Sequence, residues 1–289
     1  MGKIVGWVLY QSFYISLYVV GLLPMQLLYK VSSFSSYFMF HVLSYRKRIV
    51  TQNLSRSFPE KSEEERKQIA VGFYRCFTDN IVEIVKLFSI NPERQAKKVS
   101  VTGAEQLVAQ LENNKHVIVC MGHCANWEIL NILPYRGDIN MYAVYKPLRN
   151  RAVDRLFLAL RSRFGLGLVP SRSIVKHFLS NKNNPSVYFF IADQCPKVPE
   201  EKYRLMMLNQ QTSMFSGVEK LARSTDAAVM YMHVTRTSRG NYAIDYKLIS
   251  TQSKQTEETE IIRQYASLLE QNILENPSDW LWSHKRWKR

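Results

Sequence analysis

The sequence has few cysteines and no internal repeat. Four cysteines occur in 289 residues, at positions 76, 120, 124 and 195, and they form no C-x-x-C pair. Such sparse cysteines exclude a disulfide scaffold and favour reduced thiols in a reducing compartment. A low-complexity linker is lacking too, and 46% of the residues are hydrophobic. The chain is therefore expected to fold mainly as one large globular domain.

Acidic residues are scarce relative to basic ones. The 24 Asp and Glu residues face 39 Lys and Arg residues, which gives a net charge of +15 and a pI of about 9.6. Such an excess favours anionic partners: nucleic acid, an acidic protein or a phospholipid surface.

Charge is absent from the 26 residues between Ile4 and Tyr29. As one helix they would extend roughly 39 Å, enough to cross the ~30 Å hydrocarbon layer with tilt. Pro24 could kink this helix, and a buried or interfacial helix is the alternative to a span. Basic residues follow the run, in Y-R-K-R at 45–48, and favour a cytoplasmic location for the rest of the chain. A phospholipid surface then explains the basic charge better than DNA does.

Strand and helix patterns alternate along most of the remaining chain. A long amphipathic helix is predicted over 58–90, with a capping box formed by Ser62 and Glu65. The alternation predicts an α/β fold: a single domain with a central mixed, largely parallel sheet flanked by helices, plus an amino-terminal membrane-anchor helix. Strands are predicted at 116–121, 141–148, 186–192, 227–235 and 242–249, and helices at 102–113, 125–133, 150–163, 172–180, 215–224 and 257–275.

The stretch M-G-H-C-A-N-W-E-I-L at 121–130 carries the most chemistry. His123 follows a buried strand and should lie at the carboxyl edge of the sheet, where open α/β sheets place ligands. Glu128 should lie in the first turn of the next helix, and the chain can bend back so that the two side chains meet. A carboxylate on an imidazole fixes its tautomer and stabilises the imidazolium. The pair is therefore interpreted as a general base with its orienting group.

Three other interpretations of this stretch stay open from the residues alone. Cys120, His123, Cys124 and Cys195 have the right atoms for a zinc site, although they form no clustered pairs. Cys124 beside His123 could be a nucleophile. His123 could also be a purely structural histidine.

Several motifs together resemble one family in order and spacing. They are Y-R-K-R-I-V-T-Q-N-L-S-R-S-F-P-E-K-S-E-E-E-R at 45–66, G-H-C-A-N-W-E at 122–128, the basic segment beginning V-Y-K-P-L-R-N at 144–172, F-F-I-A-D-Q at 189–194, and N-P-S-D-W-L-W-S-H-K-R-W-K at 276–288. The chain resembles the bacterial lipid A biosynthesis acyltransferases, the late lauroyl and myristoyl transferases. It departs from them at Cys124, Ala125 and Lys146, and in M-M-L-N-Q-Q-T at 206–212.

The resemblance implies transfer of a fatty acyl group from an acyl thioester to a hydroxyl of a lipid A precursor. His123 and Glu128 are the implied catalytic residues. The implied donor is the acyl thioester of acyl carrier protein or of coenzyme A, which is a substrate. The resemblance implies neither a cofactor nor a metal. The implied substrate-binding residues are Asn126, Lys146, Arg149, Asn150, Arg161, Arg163, Asp193 and Gln194. Arg161 and Arg163 are two positions apart and should diverge on one helix.

The resemblance also implies a location at the bacterial inner membrane, with the catalytic domain on the cytoplasmic face. Residues 1–44 are then the membrane anchor and residues 45–289 the catalytic domain. The aromatic and basic carboxyl-terminal motif is either an interfacial or donor-docking surface, or core tryptophan with a basic tail. Two other functions stay open: acylation of another lipid, such as a lysophospholipid or aminolipid, and non-catalytic lipid binding at the membrane.

Overall fold

A computed structural model of the chain describes the backbone of residues 2–287 and the side chains from residue 6 onward. It confirms an α/β domain whose central sheet is mostly parallel and flanked by helices. The helices are α1 (Gly2–Leu22), α2 (Met25–His41), α3 (Lys47–Ser57), α4 (Glu63–Leu87), α5 (Pro92–Ala96), α6 (Ala104–Glu112), α7 (Arg151–Ser162), α8 (Ile174–Ser180), α9 (Gly217–Thr225) and α10 (Glu260–Glu275). The strands are β1 (Val99–Thr102), β2 (Val117–Met121), β3 (Met141–Tyr145), β4 (Gly167–Pro170), β5 (Val187–Ile191), β6 (Arg204–Met207), β7 (Gln210–Ser213), β8 (Ala228–Ser238) and β9 (Asn241–Ser250).

The main sheet has the order β1-β9-β8-β2-β5-β3-β4. Strand β2 pairs in parallel with both β5 and β8, and β9 runs antiparallel to β8. Every residue of β2 is buried, because helices cover both faces of the sheet at its centre. The carboxyl ends of β2, β3 and β5 therefore meet at one edge, and the loop after β2 carries His123 to that edge.

The uncharged amino-terminal run forms two helices, α1 and α2, in place of one continuous helix. It is interrupted at Pro24, between α1 and α2. Over the described residues, α1 and α2 satisfy the length and hydropathy of a membrane span only as a pair, and they are bent by 109° at the break. The bend is held by Lys86 on α4, whose ammonium donates to the carbonyls of Gly21 (2.7 Å) and Leu23 (3.0 Å).

Polar contacts fasten α2 to the rest of the domain. Arg239, in the turn between β8 and β9, donates to the Asp79 carboxylate (Nε–Oδ2, 2.9 Å) and to the backbone carbonyl of Tyr29 (3.0 Å). Its guanidinium also lies 4.3 Å from the centre of the Tyr29 ring. The faces of α1 and α2 that point away from the domain remain apolar and exposed.

Helix α4 begins at the predicted capping box, in which Ser62 and Glu65 exchange hydrogen bonds. The apolar residues at three- and four-residue spacing mostly face the core: Phe73 is buried and Phe77 packs against the core, whereas Ile81 is 46% exposed. The same inward side also carries the buried polar residues Asp79, Asn80 and Glu83. The periodicity therefore identified the helix and the apolar part of its inward face, but not the polar part.

Candidate active site

The loop after β2, which we call the active-site loop (residues 122–126), places His123 at the carboxyl edge of the sheet as predicted. Gly122 packs closely, since an added Cβ would lie 2.5 Å from Leu269. Ala125 adopts the left-handed conformation, with φ of 49°, and its N–H donates to the carbonyl of Asp279 (2.8 Å). The loop is thus a tight turn held from both sides, which fixes the direction of the His123 side chain.

The carboxylate that contacts His123 is that of Asp193, just after β5. The His123 Nδ1 to Asp193 Oδ1 distance is 2.5 Å, and Asp193 Oδ2 accepts the backbone N–H of His123 (2.9 Å). Trp280 Nε1 donates to the same Oδ2 (2.9 Å). Every described donor around this carboxylate therefore favours its ionised form.

Burial opposes ionisation of Asp193, but the charge of His123 and the hydrogen bonds from His123 and Trp280 outweigh it. Together they lower the pKa of Asp193 to about 2. An ionised Asp193 can only accept a hydrogen bond, so the His123 proton is assigned to Nδ1 and Nε2 is left as an acceptor. This is the arrangement of a general base with its orienting carboxylate.

The prediction that Glu128 orients His123 is corrected by this geometry. Within residues 2–287, the Glu128 carboxylate binds Arg161 (Nε–Oε2, 3.0 Å, with a second contact from Nη2 to Oε1) and Asn131 (Nδ2–Oε2, 3.0 Å), and not His123. The residues after Asn126 form a 3₁₀ helix, Trp127–Arg136, which directs Glu128 toward α7. The neighbouring strand β5 brings Asp193 to the imidazole instead.

The Glu128–Arg161 pair should stabilise the region behind the active-site loop. The Glu128 side chain is 3% exposed and that of Arg161 is 22% exposed. Breaking a buried pair from one side typically costs about 3–5 kcal/mol, since a charge is left without its partner. We expect Glu128→Gln and Arg161→Met each to lower the free energy of unfolding by an amount in this range. The double variant should lose much less than the sum, as urea unfolding would measure; additive losses would contradict the pairing.

The other predicted substrate-binding residues fall into two groups. Lys146 and Gln194 line one cavity beside His123, and the Gln194 amide nitrogen lies 3.5 Å from His123 Nε2. Asn126 is buried, with its amide between the Glu83 carboxylate (2.7 Å) and the backbone N–H of Glu128 (3.1 Å). Asn126 therefore has internal partners at both ends of its amide.

Three further predicted residues lie on or beside α7. Asn150 caps α7 by accepting the N–H of Ala152 (3.0 Å). Arg163 donates to the carbonyl of Leu87, so Arg161 and Arg163 diverge as predicted. Arg149 is exposed. Lys146 and Gln194 therefore lie at the cavity. Asn126, Asn150 and Arg163 bind groups within the protein, and Arg149 is exposed.

The cavity occupies about 930 Å³ at the carboxyl edge of the sheet. Its walls come mainly from apolar side chains of β3, β5, α8 and α9 and of the segment after Asp193. The volume lies in the range of ~300–1,000 Å³ typical of ligand sites. Its apolar lining includes Val144, Ile174, Val175, Phe190, Ile191, Met214 and Leu221.

The cysteines do not support the two alternative interpretations of the motif. Burial raises the pKa of the Cys120 thiol, and burial with the nearby carboxylates of Asp193 and Asp279 raises that of Cys124 well above its usual range. A protonated thiol is a poor nucleophile and a poor metal ligand. In the part of the chain that the structure describes, no three His, Cys, Asp or Glu side chains are grouped to hold a metal ion.

The carboxyl-terminal motif is mostly part of the core. Trp280 is 3% exposed, Trp282 is fully buried, and Arg286 is also buried. Lys288, the last residue of the motif, lies outside the described residues. Core tryptophan is thus the correct interpretation of the two buried indoles, and Trp280 adds a contact to Asp193 that the sequence did not reveal.

Comparison with known proteins agrees with the motifs. The model of the family described as bacterial lipid A biosynthesis acyltransferase matches residues 5–289. A lipid A biosynthesis acyltransferase 2 of Shigella flexneri is 29% identical over 148 residues, which are 51% of this chain and 47% of that protein. The chain thus aligns with about half the length of that relative.

Two relatives from Escherichia coli strain K12 align over more of the chain. A lipid A biosynthesis palmitoleoyltransferase is 22% identical over 85% of this chain and 80% of its own length. A lipid A biosynthesis lauroyltransferase is 22% identical over 94% of this chain and 89% of its own. The predicted enzyme class agrees with all these names. Since the family model matches nearly the whole sequence, the chain belongs to the bacterial lipid A biosynthesis acyltransferase family.

Proposed function

We propose that the protein transfers a fatty acyl group from an acyl thioester, of acyl carrier protein or coenzyme A, to a hydroxyl of a lipid A precursor. One observation carries the proposal: the Nδ1 of His123 is held by the ionised, buried Asp193, and its Nε2 lies beside Gln194, which lines an apolar cavity. The relatives' names supply the substrate class. The thioester is a substrate, and the reaction as proposed requires no cofactor.

The reaction begins with proton transfer. Nε2 of His123 removes the proton of the acceptor hydroxyl while the oxygen attacks the thioester carbonyl. Asp193 stabilises the imidazolium that forms. When the tetrahedral intermediate collapses, the C–S bond breaks and the leaving sulfur takes the proton from Nε2. One ester forms, one thioester is cleaved, and His123 returns to its starting state.

The oxyanion of that intermediate needs hydrogen-bond donors. Backbone N–H groups after Asn126 are candidate donors, but those of Glu128 and Ile129 bind the side-chain and backbone oxygens of Asn126 (3.1 and 3.0 Å). Gln194 offers an alternative, because its amide nitrogen lies beside His123 Nε2. We assign the oxyanion contact to this amide.

The cavity is the proposed site of the acyl chain. Its apolar lining suits hydrocarbon, and one of its walls contacts the catalytic base. Lys146, which is exposed at the cavity, offers a cation to the phosphate of the acceptor or of the thioester carrier.

Product analysis tests the function directly. Purified protein is incubated with an acyl thioester and either a lipid A precursor or a lysophospholipid, and the lipids are analysed by mass spectrometry. We expect the lipid A precursor to gain the mass of one fatty acid minus water, with release of one thiol. Transfer to the lysophospholipid alone would assign another lipid as acceptor, and transfer to neither would favour a non-catalytic binding protein.

Membrane association of such an enzyme is proposed to use the outer faces of α1 and α2. Trp7 (55% exposed), Phe13 (54%) and Phe34 (70%) belong to this apolar surface, and Lys30 lies exposed on α2. The inner membrane, from its cytoplasmic face, supplies the anionic lipid that such a surface fits.

A substitution on the outer face of α2 tests this contact. We expect Phe34→Glu to move the protein toward the soluble fraction, since a charged residue would enter the hydrocarbon layer. The unsubstituted protein should stay bound to membranes at about 1 M salt, where the Debye length is only ~3 Å. Leu274→Glu is the matched control, because Leu274 is an apolar residue of α10 that is 52% exposed. It should change neither membrane binding nor the resistance of that binding to salt. Release of the unsubstituted protein by salt alone would contradict apolar insertion.

A further inference from the structure

The buried face of α4 lies between the amino-terminal helix α2 and the active-site loop. Asn80 and Glu83, one turn apart on α4, both reach the loop. Asn80 Nδ2 donates to the carbonyl of Ala125 (2.6 Å), and Glu83 Oε2 accepts from Asn126 Nδ2 (2.7 Å). Asn80 and Glu83 are 4% and 8% exposed. They therefore hold two of the three loop residues between His123 and the 3₁₀ helix.

Helix α2 also forms hydrogen bonds to this face of α4. Tyr29 donates its hydroxyl to Glu83 Oε1 (2.8 Å), and Ser32 donates to Asp79 Oδ1 (2.6 Å). Glu83 thus accepts from α2 with one oxygen and from the active-site loop with the other. Asp79 has no such second contact to the loop among the described hydrogen bonds.

Arg236, near the end of β8, closes this network. Its Nη2 donates to Asn80 Oδ1 (2.8 Å), its Nη1 lies 3.7 Å from Glu83 Oε1, and its Nε lies 3.5 Å from the Asp279 carboxylate. The Asp279 carbonyl accepts the N–H of Ala125, as described above. Both backbone polar groups of Ala125, which hold its left-handed conformation, therefore belong to one buried network.

We propose that Asn80 and Glu83 are positioning residues for the acyl-transfer reaction, and that Tyr29 of α2 completes the placement of Glu83. The helix that binds the membrane and the loop that carries the base are then coupled through one carboxylate. The inference rests on the proposed function for its rate effects. The structural basis of the coupling does not depend on that function. Tyr242 also donates its hydroxyl to Glu83 Oε2. Without the Tyr29 hydroxyl, Glu83 Oε1 loses its donor, and the carboxylate shifts toward Arg236 or Tyr242 and away from Asn126.

Tyr29→Phe tests the coupling with the loss of one hydroxyl. We expect kcat for acyl transfer, and for hydrolysis of a soluble thioester, to fall by about 5- to 30-fold with an unchanged KM for the thioester, as an energetic coupling of this kind allows. The His123 imidazole nitrogen resonances should shift toward a mixture of tautomers. Membrane binding should be unchanged.

Two variants of α2 serve as controls. Ser32→Ala removes a hydrogen bond from the same helix interface but touches Asp79, not Glu83, and should lower stability with little effect on kcat. Tyr37→Phe, at a tyrosine that is 61% exposed on α2, should change nothing. Equal losses of kcat in Tyr29→Phe and Ser32→Ala would show general destabilisation and overturn the proposal.

The imidazole resonances separate this inference from the proposed function. If the unsubstituted protein transfers no acyl group to any acceptor, the function fails, but a tautomer shift in Tyr29→Phe alone still supports the coupling. Unchanged resonances, with kcat within twofold of the unsubstituted protein, overturn the coupling whatever the substrate is.

Discussion

Replacing His123 by alanine should lower the rate of acyl transfer by about 10² to 10⁴, the usual contribution of a general base. The acceptor hydroxyl would have no group to remove its proton, and the leaving sulfur would have no proton donor. Binding of the thioester should persist, because the cavity is lined by other residues. Single-turnover transfer to the lipid acceptor, with thermal unfolding to verify the fold, is the measurement.

The neighbouring cysteine gives the control for this variant. Cys124→Ser changes the next residue of the same loop and should keep substantial activity, since the structure gives that thiol no contact to His123 and burial keeps it protonated. A chelator should not inhibit the protein. A His123→Ala protein that stays within a few-fold of full activity would refute the base assignment.

Replacing Asp193 by asparagine should be nearly as damaging, with a loss of up to about 10⁴ in kcat. Asparagine can turn its amide toward Nδ1 and donate to it, which places the imidazole proton on Nε2 and removes the base. Glu128→Gln should leave the tautomer of His123 unchanged, because Glu128 binds Arg161. The nitrogen resonances of the His123 imidazole in the two variants would show whether Asp193 or Glu128 sets the tautomer. A tautomer change in Glu128→Gln and not in Asp193→Asn would restore the interpretation made from the sequence.

The pH dependence of this effect follows from the low pKa of Asp193. With a pKa of about 2, the carboxylate is ionised at every pH well above that value. Titration of Asp193 itself should therefore add no pH dependence to the loss in Asp193→Asn between about pH 5 and about pH 9. The stabilisation that Asp193 gives the folded state is present above the usual carboxyl pKa of ~4 and is lost as the pH falls toward 2.

The sequence predicted the location of the base but not its partner. A buried apolar strand followed by G-H-C-A-N is enough to place His123 at the edge of the sheet, and β2 confirms it. The partner depends on which strand lies beside β2. Glu128 is five residues from His123 in the sequence, whereas Asp193 is 70 residues away and adjacent only because β5 pairs with β2. Strand order is a property of the whole sheet and is not encoded locally.

The elements that the sequence missed have weak patterns for physical reasons. β1 and β4 are four-residue strands at the two edges of the sheet, where few side chains are buried. The polar face of α4 was missed because periodicity counts apolar residues, and a network of buried charges looks like a solvated surface. Buried charged groups require partners, and those partners come from distant parts of the sequence that only the folded structure brings together.

The contact between Arg239 and α2 forms only after most of the chain has been synthesised. Arg239 is 210 residues beyond Tyr29, the residue whose carbonyl it binds. At ~5–20 residues per second, the ribosome adds that arginine roughly 10 to 40 s after the tyrosine. During this interval α1, α2 and α4, which carries Lys86 and Glu83, have been made, while Arg239 and strands β8 and β9 beside it have not. The membrane contact proposed for the outer faces of α1 and α2 is therefore available to the nascent chain before the sheet of its domain is complete.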